Sequence, residues 1–386
     1  MERIMDTMQI QQKDKKLDQS KILHERLESL DVLRGFDMFW IVGGGTLLEA
    51  IIDFLGWPCL GIIKKNLAHA EWTGFTAWDL IFPLFIFISG IAIPFSFNKF
   101  LASNQKKSLY LKVVKRAVIL IILGLLYNGL FKALDFGNMR YLSVLGLIGL
   151  AYLWASLIVI NFKPAGWAII AAGILIIYYI LMKFVPVPGF GPGELTKEGN
   201  FASLIDRLVV PGKLIYDTSD PEGLLMTFPA SVLAIAGALT GELLKKQNIS
   251  QYTKCLYIAA AGFVCLGIGL LWGMHFPIIK KLWTSSFVVY TVGWSLLLTS
   301  IFYLIVDVWK IRKIFFPFLL IGVNPLTIYL CAHRVINFPY TAEFFFGGLI
   351  RISGETFKPI ILCIAVLVCE LAFLYMLYRK KIFLKV

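Results

Sequence analysis

The chain has 386 residues, 58% hydrophobic and 16% charged, with a net charge of +13 and a mean hydropathy of +0.77. Soluble domains carry nearer ~25% charged residues, so an ordinary soluble fold is excluded. Apolar runs of roughly 20 residues recur along the chain, the mark of membrane-crossing helices.

Residues 1–30 are polar and highly charged and lack an apolar run of the signal-peptide kind, so they are read as a cytoplasmic tail. Residues 31–386 are read as one all-α, polytopic helical bundle of about 10 transmembrane helices. The expected spans are 32–52, 78–98, 111–131, 141–161, 165–185, 222–244, 255–275, 284–305, 314–334 and 357–378. Most of the 37 Lys and Arg residues fall in segments that share a side with the N-terminus. The positive-inside rule then places both termini in the cytoplasm, as in a bacterial inner membrane. This bias accounts for the net charge, and no nucleic-acid partner is implied.

The six cysteines are scattered, most of them in apolar runs, without CxxC or zinc spacing. Neither a metal site nor a disulfide framework is expected. Gly43-Gly44-Gly45 lacks the Lys-Ser/Thr of a phosphate loop and follows a helix, so it signals close packing or a distortion lining a cavity.

Two long loops, 53–77 and 186–221, are expected on the non-cytoplasmic face. Loops of that length in a compact protein are often functional. The first leads into "NLAHAEWTGFTAWDLIFPLFIFISG" (66–90), where His69, Glu71, Trp72 and Asp79 gather at a membrane border. Histidine suits proton transfer near neutral pH and can carry an acyl group. Asp79 suits either a helix cap or an orienting partner for His69. Trp72 and Trp57 suit either sugar stacking or the membrane interface.

Ionisable residues inside spans are costly and functional by default. Here they are Arg34, Asp37, Glu49, Asp79, Glu222, Glu242 and Glu370. Arg34 and Asp37 are spaced to pair along one helix. "DPEG" (220–223) reads as a helix start, with Glu222 in the first turn.

"RLESLDVLRGFDMF" (26–39) and the 66–90 stretch resemble the entry motifs of the membrane acyltransferases related to heparan-α-glucosaminide N-acetyltransferase. Further resemblances follow in order. They are "PVPGFGPG" (186–193), "IDRLVV" (205–210), "DPEGLL" (220–225), "KKLWTSSFVVYT" (280–291), "GVNPLTIYLCAH" (322–333) and "LYRKKIF" (377–383). Arg140 is kept, while Gly146-Leu147 stand where the family carries Gln-Arg.

The resemblance implies transfer of an acetyl group from cytosolic acetyl-CoA to an amino sugar or related glycan on the far face. N-acetylation is favoured over O-acetylation. His69 matches the family's active-site histidine and Asp79 its nearby aspartate. Trp72, Glu71, His333, Asn324 and Glu222 are the candidates for the acceptor side. CoA phosphates favour Lys and Arg at the cytoplasmic end, which makes Arg34, Lys106, Lys107, Arg116, Lys245 and Lys313 the donor-site candidates, with contact to anionic membrane lipids as their other role. A homodimer stays open. The competing readings are a transporter or exporter of a glycan or lipid-linked sugar, and a structural partner in a cell-envelope complex.

Overall fold

A computed structural model describes residues 27–103, 105–131 and 135–384; most of the expected N-terminal tail lies outside them. Helices α1 (Glu28–Phe39) and α2 (Gly45–Leu55) are joined through a wide turn at Trp40–Gly44. Then come α3 (Gly61–Asn66), α4 (Ile81–Ala102), α5 (Lys106–Tyr127), α6 (Val144–Asn161) and α7 (Pro164–Phe184). The second half holds α8 (Phe201–Val209), α9 (Thr227–Lys245), α10 (Gln251–Gly273), α11 (Ser285–Phe302), α12 (Phe316–Val323), α13 (Pro325–Leu330), α14 (Phe338–Ile352) and α15 (Gly354–Arg379). Strand structure among the described residues is one hairpin, Pro186–Val187 antiparallel to Gly191–Pro192.

Eight helical segments among the described residues are long and apolar enough to cross a membrane. Helices α7, α10 and α15 bury only 22% of their apolar windows inside the protein. Their remaining apolar side chains need a hydrocarbon solvent, and the chain is an integral membrane protein.

The other two expected spans differ in detail. Helix α5 is long enough, but it carries Lys106, Lys107, Lys112, Lys115 and Arg116 in its first half. The expected span 314–334 is broken into α12 and α13 at Asn324-Pro325, where proline cannot supply the N–H that a continuous helix needs. The span expected to begin at 222 begins at Thr227, and "DPEG" forms a turn ahead of it. Helix α14 was not expected.

Two helix crossings are set by glycine. A Cβ on Gly35 would lie 1.7 Å from Phe318 O, and one on Gly322 would lie 1.7 Å from Asp31 O. The Arg-Gly of the first motif is thus a packing device that lets α1 touch α12 backbone to backbone. Gly90 and Gly237 do the same for α4 and α9, with Cβ positions 2.1 Å from Ala234 O and Phe87 O. The distortion at Gly43–Gly45 also packs closely, with Gly45 against Trp78 and Gly43 against Leu367.

The loops gather at two ends. At one, Gly74 N donates to Ile278 O (2.8 Å), Lys281 Nζ to Glu71 O (2.6 Å) and Trp72 Nε1 to Leu195 O (2.9 Å). Trp283 Nε1 donates to Pro221 O there (2.9 Å). At the other, Ser29 N donates to Asp307 Oδ2 (3.3 Å) and Arg312 pairs with Glu28 (3.1 Å). The two long loops therefore share the end opposite the start of α1.

Candidate active site

The chain enters α4 through a tight turn, Ala77–Leu80, capped by Thr76. Asp79 is the third residue of that turn, and its Oδ2 accepts from Thr76 N (3.2 Å) and Ala70 N (3.2 Å). The Thr76 hydroxyl lies 2.7 Å from Ala68 O and 3.1 Å from Asp79 Oδ2. Asn66 Oδ1 accepts from Ala77 N (3.1 Å). These bonds lay residues 66–70 across the mouth of α4 and bring His69 Nδ1 to 2.7 Å from Asp79 Oδ1. Asp79 both caps its turn and holds the imidazole.

Asp79 is 1% exposed, whereas the His69 side chain is 45% exposed. An ionised carboxylate only accepts, so the proton of neutral His69 sits on Nδ1. Nε2 then carries the free lone pair on the open side of the ring. This is the arrangement of a general base or nucleophile oriented by a buried carboxylate.

Around the dyad, Lys197 Nζ and Lys281 Nζ each lie 5.9 Å from the Trp72 ring centroid and about as near to Tyr216 (5.0 and 5.1 Å). Trp72 is therefore built into the loop by its N–H and by two ammonium groups. Glu71 is exposed and uses its carbonyl, not its carboxylate, to hold Lys281.

A second charged cluster lies at the same end. Arg140 donates to Asp220 through Nε (2.7 Å) and Nη2 (2.6 Å), and Nη2 also meets Glu222. Burial disfavours the charge on Asp220, but the Arg140 fork outweighs it and holds this carboxyl below its usual range. Burial, with Asp220 beside it, pushes Glu222 up to about 7. Asp206, on α8, is also pushed up to about 7 by burial, against the Leu224 N–H that its Oδ1 accepts (2.9 Å). Lys280 faces Glu222 and Asp79, and burial lowers its pKa despite them. It follows Ile278 and precedes Trp283, which are bonded to the His69 loop and to Pro221 respectively. The 278–283 segment thereby ties the two clusters together.

Deeper in the bundle, a cavity of about 230 Å³ is lined by Arg34, Arg116, Ser89, Phe383, Leu384 and surrounding apolar residues. Arg116 stacks on Tyr152 at 4.1 Å, and its buried Nε has no hydrogen-bond partner among the described residues. A smaller cavity of about 60 Å³ shares the walls Phe85, Leu145, Ile148, Pro325 and Leu326. It adds Asp37, Ile81, Phe82 and Tyr329, and so approaches the turn that carries Asp79.

Residues 26–134 match the model of a domain of unknown function, DUF5009. The chain is 27% identical over 382 residues to heparan-α-glucosaminide N-acetyltransferase of Mus musculus, covering 82% of this chain and 56% of the mouse protein. It is 26% identical over 430 residues to the Homo sapiens protein of that name, covering 94% of this chain and 60% of the human one. The similarity to heparan-α-glucosaminide N-acetyltransferase runs along most of this chain. The chain spans a little over half the length of these two relatives.

Of the residues expected at the site, the structure brings His69 to Asp79, and Arg34 and Arg116 to one cavity. Arg34 pairs back to Asp31 (3.2 Å), rather than forward to Asp37 as expected, and also reaches Gly322 O (3.4 Å). Lys106, Lys107 and Lys313 are exposed away from the cavity. Lys245 bonds Glu242 (3.0 Å) and Pro94 O (3.4 Å). Glu222 belongs to the Arg140 cluster, and Asn324 is buried at the break between α12 and α13. His333 lies on the short segment Cys331–Val335, and its side chain is outside what the structure describes. The sequence reading missed Asp220, Asp206, Lys280, Lys197 and Lys281 as site residues. Asp220 and Lys280 were within reach, because both fall inside family-like motifs, "DPEGLL" and "KKLWTSSFVVYT".

Proposed function

We propose that this protein is a transmembrane acetyltransferase that moves an acetyl group from acetyl-CoA in the cytosol to the amine of an amino sugar on the other face. The observation that carries the reading is the His69–Asp79 pair, a half-exposed imidazole fixed by a buried carboxylate at 2.7 Å. The relatives, whose name is that of an acetyltransferase of a glucosaminide, supply the reaction class. Lys and Arg residues at the end bearing the start of α1, among them Lys245, Lys246, Arg312 and Lys313, support a cytosolic location for that end.

In this reading Arg34 and Arg116 hold anionic or amide groups of the donor in the 230 Å³ cavity. The small apolar cavity beside it leads the acyl end toward the mouth of α4. His69 Nε2 accepts the proton that the acceptor amine loses as its nitrogen attacks the thioester carbonyl. The C–S bond breaks, and His69 returns the proton to the departing thiolate. Asp79 keeps Nε2 unprotonated at the start and stabilises the imidazolium that forms.

The test is transfer of labelled acetyl from acetyl-CoA to glucosamine across reconstituted vesicles. His69→Ala is expected to lower transfer by about 10²–10⁴-fold while leaving acetyl-CoA binding intact. Near wild-type transfer by that variant would remove His69 from the chemistry. Direct transfer also predicts no exchange of labelled CoA into acetyl-CoA without acceptor. Such exchange would replace the base by an acetyl-histidine route.

A further inference from the structure

Helix α15 ends in a way that sends the chain back into the bundle. Lys381 adopts a left-handed conformation (φ 55°), its N–H bonds Tyr378 O (3.0 Å), and Ile382 N bonds Leu377 O (2.9 Å). The next residues run past Asn324. The Asn324 side chain donates from Nδ2 to Ile382 O (3.0 Å) and accepts at Oδ1 from Leu384 N (3.1 Å). One amide thus holds the segment at two points, much as a neighbouring strand would. Asn324 is 1% exposed and sits where Pro325 interrupts the helix, so its side chain is itself fixed. Phe383 packs edge-on to Tyr378 at 6.3 Å. Phe383 and Leu384 then form part of the wall of the cavity that also holds Arg34 and Arg116.

We propose that Ile382–Leu384 is a closing wall of the donor site and that Asn324 is the positioning residue that holds it there. The inference rests on reading the Arg34–Arg116 cavity as the donor site. The segment is short and carries no charged side chain among its three residues, so it contributes apolar closure and not phosphate recognition. Its two bonds to Asn324 give it one defined position over the cavity. Asn324 then governs how tightly the donor is held, and it has no part in the chemistry at His69.

The experiment measures acetyl-CoA binding and steady-state transfer with the full chain in vesicles. Three variants are compared with wild type: Asn324→Ala, Phe383→Ala and Arg116→Ala. Asn324→Ala is expected to raise the Kd and KM for acetyl-CoA about tenfold, through loss of both bonds, with kcat at saturating donor within about twofold. Phe383→Ala, which leaves Asn324 and the helix break intact, is expected to show the same split to a smaller degree. It keeps the idea testable if Asn324→Ala fails to fold. Unchanged donor binding in both variants, or loss of kcat with unchanged Kd, overturns the proposal. Arg116→Ala reports separately on the site. Weakened binding in that variant, with donor binding unchanged in Asn324→Ala and Phe383→Ala, sinks only the wall. Unchanged binding in it sinks the donor-site reading and the wall with it.

Discussion

Arg140 and Asp220, 80 residues apart, form two parallel hydrogen bonds of 2.7 and 2.6 Å, and the same guanidinium also meets Glu222. The pair pins the loop before α6 to the turn before α9, and an isolated bridge between Arg140 and Gly212 reinforces it. Asp220 also accepts from Ile215 N (3.1 Å) and Glu222 N (3.0 Å), so its charge organises the whole turn. Removing Arg140 would leave two buried carboxylates facing each other.

Arg140→Gln is accordingly expected to destabilise the folded protein by about 3–5 kcal/mol, the cost of stranding a buried charge. Arg140→Lys keeps the charge but cannot make the two-pronged contact, and should fall between. Thermal unfolding in detergent measures both. A Gln variant as stable as wild type would mean that the cluster does not hold the loops.

Asp79→Asn tests orientation without removing bulk. An amide at that position can donate from Nδ2 to His69 Nδ1, which forces the imidazole proton onto Nε2 and removes the free lone pair. Transfer is expected to drop by about 10³–10⁴-fold, the effect of a wrong tautomer in a comparable dyad. The turn's backbone bonds to the remaining oxygen are largely kept, so stability should fall much less than activity. Equal loss of both would assign Asp79 to capping alone.

Much of this site was legible because its parts are close in sequence. His69 and Asp79 are ten residues apart, and Thr76-x-x-Asp79 is a recognisable capping pattern. The long-range partners were not legible. "DPEG" looks like a helix start, yet tertiary pairing of Asp220 with Arg140 makes it a turn, and the helix waits for Thr227. Arg34 has carboxylates three residues away on both sides, and spacing alone cannot choose Asp31 over Asp37. The ninth span reads as continuous by hydropathy. Asn324-Pro325 breaks it, and the freed asparagine finds a partner in residues 382–384 that no local pattern announces. Helix α14 has only 15 residues, too few to signal a span.

The α1–α12 crossing makes a prediction about packing. Gly35→Ala would put a methyl 1.7 Å from Phe318 O, on backbone that cannot swing aside. The helices must separate, at a cost of about 1–3 kcal/mol or more. Arg34, the next residue along, would move with α1 and leave its bond to Gly322 O. Both stability and acetyl-CoA affinity are expected to fall. Gly173→Ala, at a helical position with open space around the added methyl, is the matched control and should lower neither.

Asp206 predicts a pH dependence of stability. Its side chain is buried, its Oδ1 accepts from Leu224 N, and its Oδ2 has no hydrogen-bond partner among the described residues. Burial raises the folded-state pKa to about 7 from an ordinary 3.8. Between those values the folded protein binds a proton that the unfolded chain has released. By linkage, stability contributed at this position falls as pH rises from about 3.8 toward 7, and is flat above. Glu222, raised to about 7 from 4.5, adds a slope of the same sign over the upper part of that window. Asp206→Asn keeps an acceptor for Leu224 N and cannot ionise. It should therefore gain stability relative to wild type at pH 8 and lose that advantage at pH 4. Glu222→Gln, which keeps an acceptor for Arg140, separates the second contribution. Unfolding midpoints across this range in the two variants and wild type decide the matter. Parallel curves for Asp206→Asn and wild type would show that this carboxyl is ionised in the fold at neutral pH, held by a partner that the buried Oδ2 does not display.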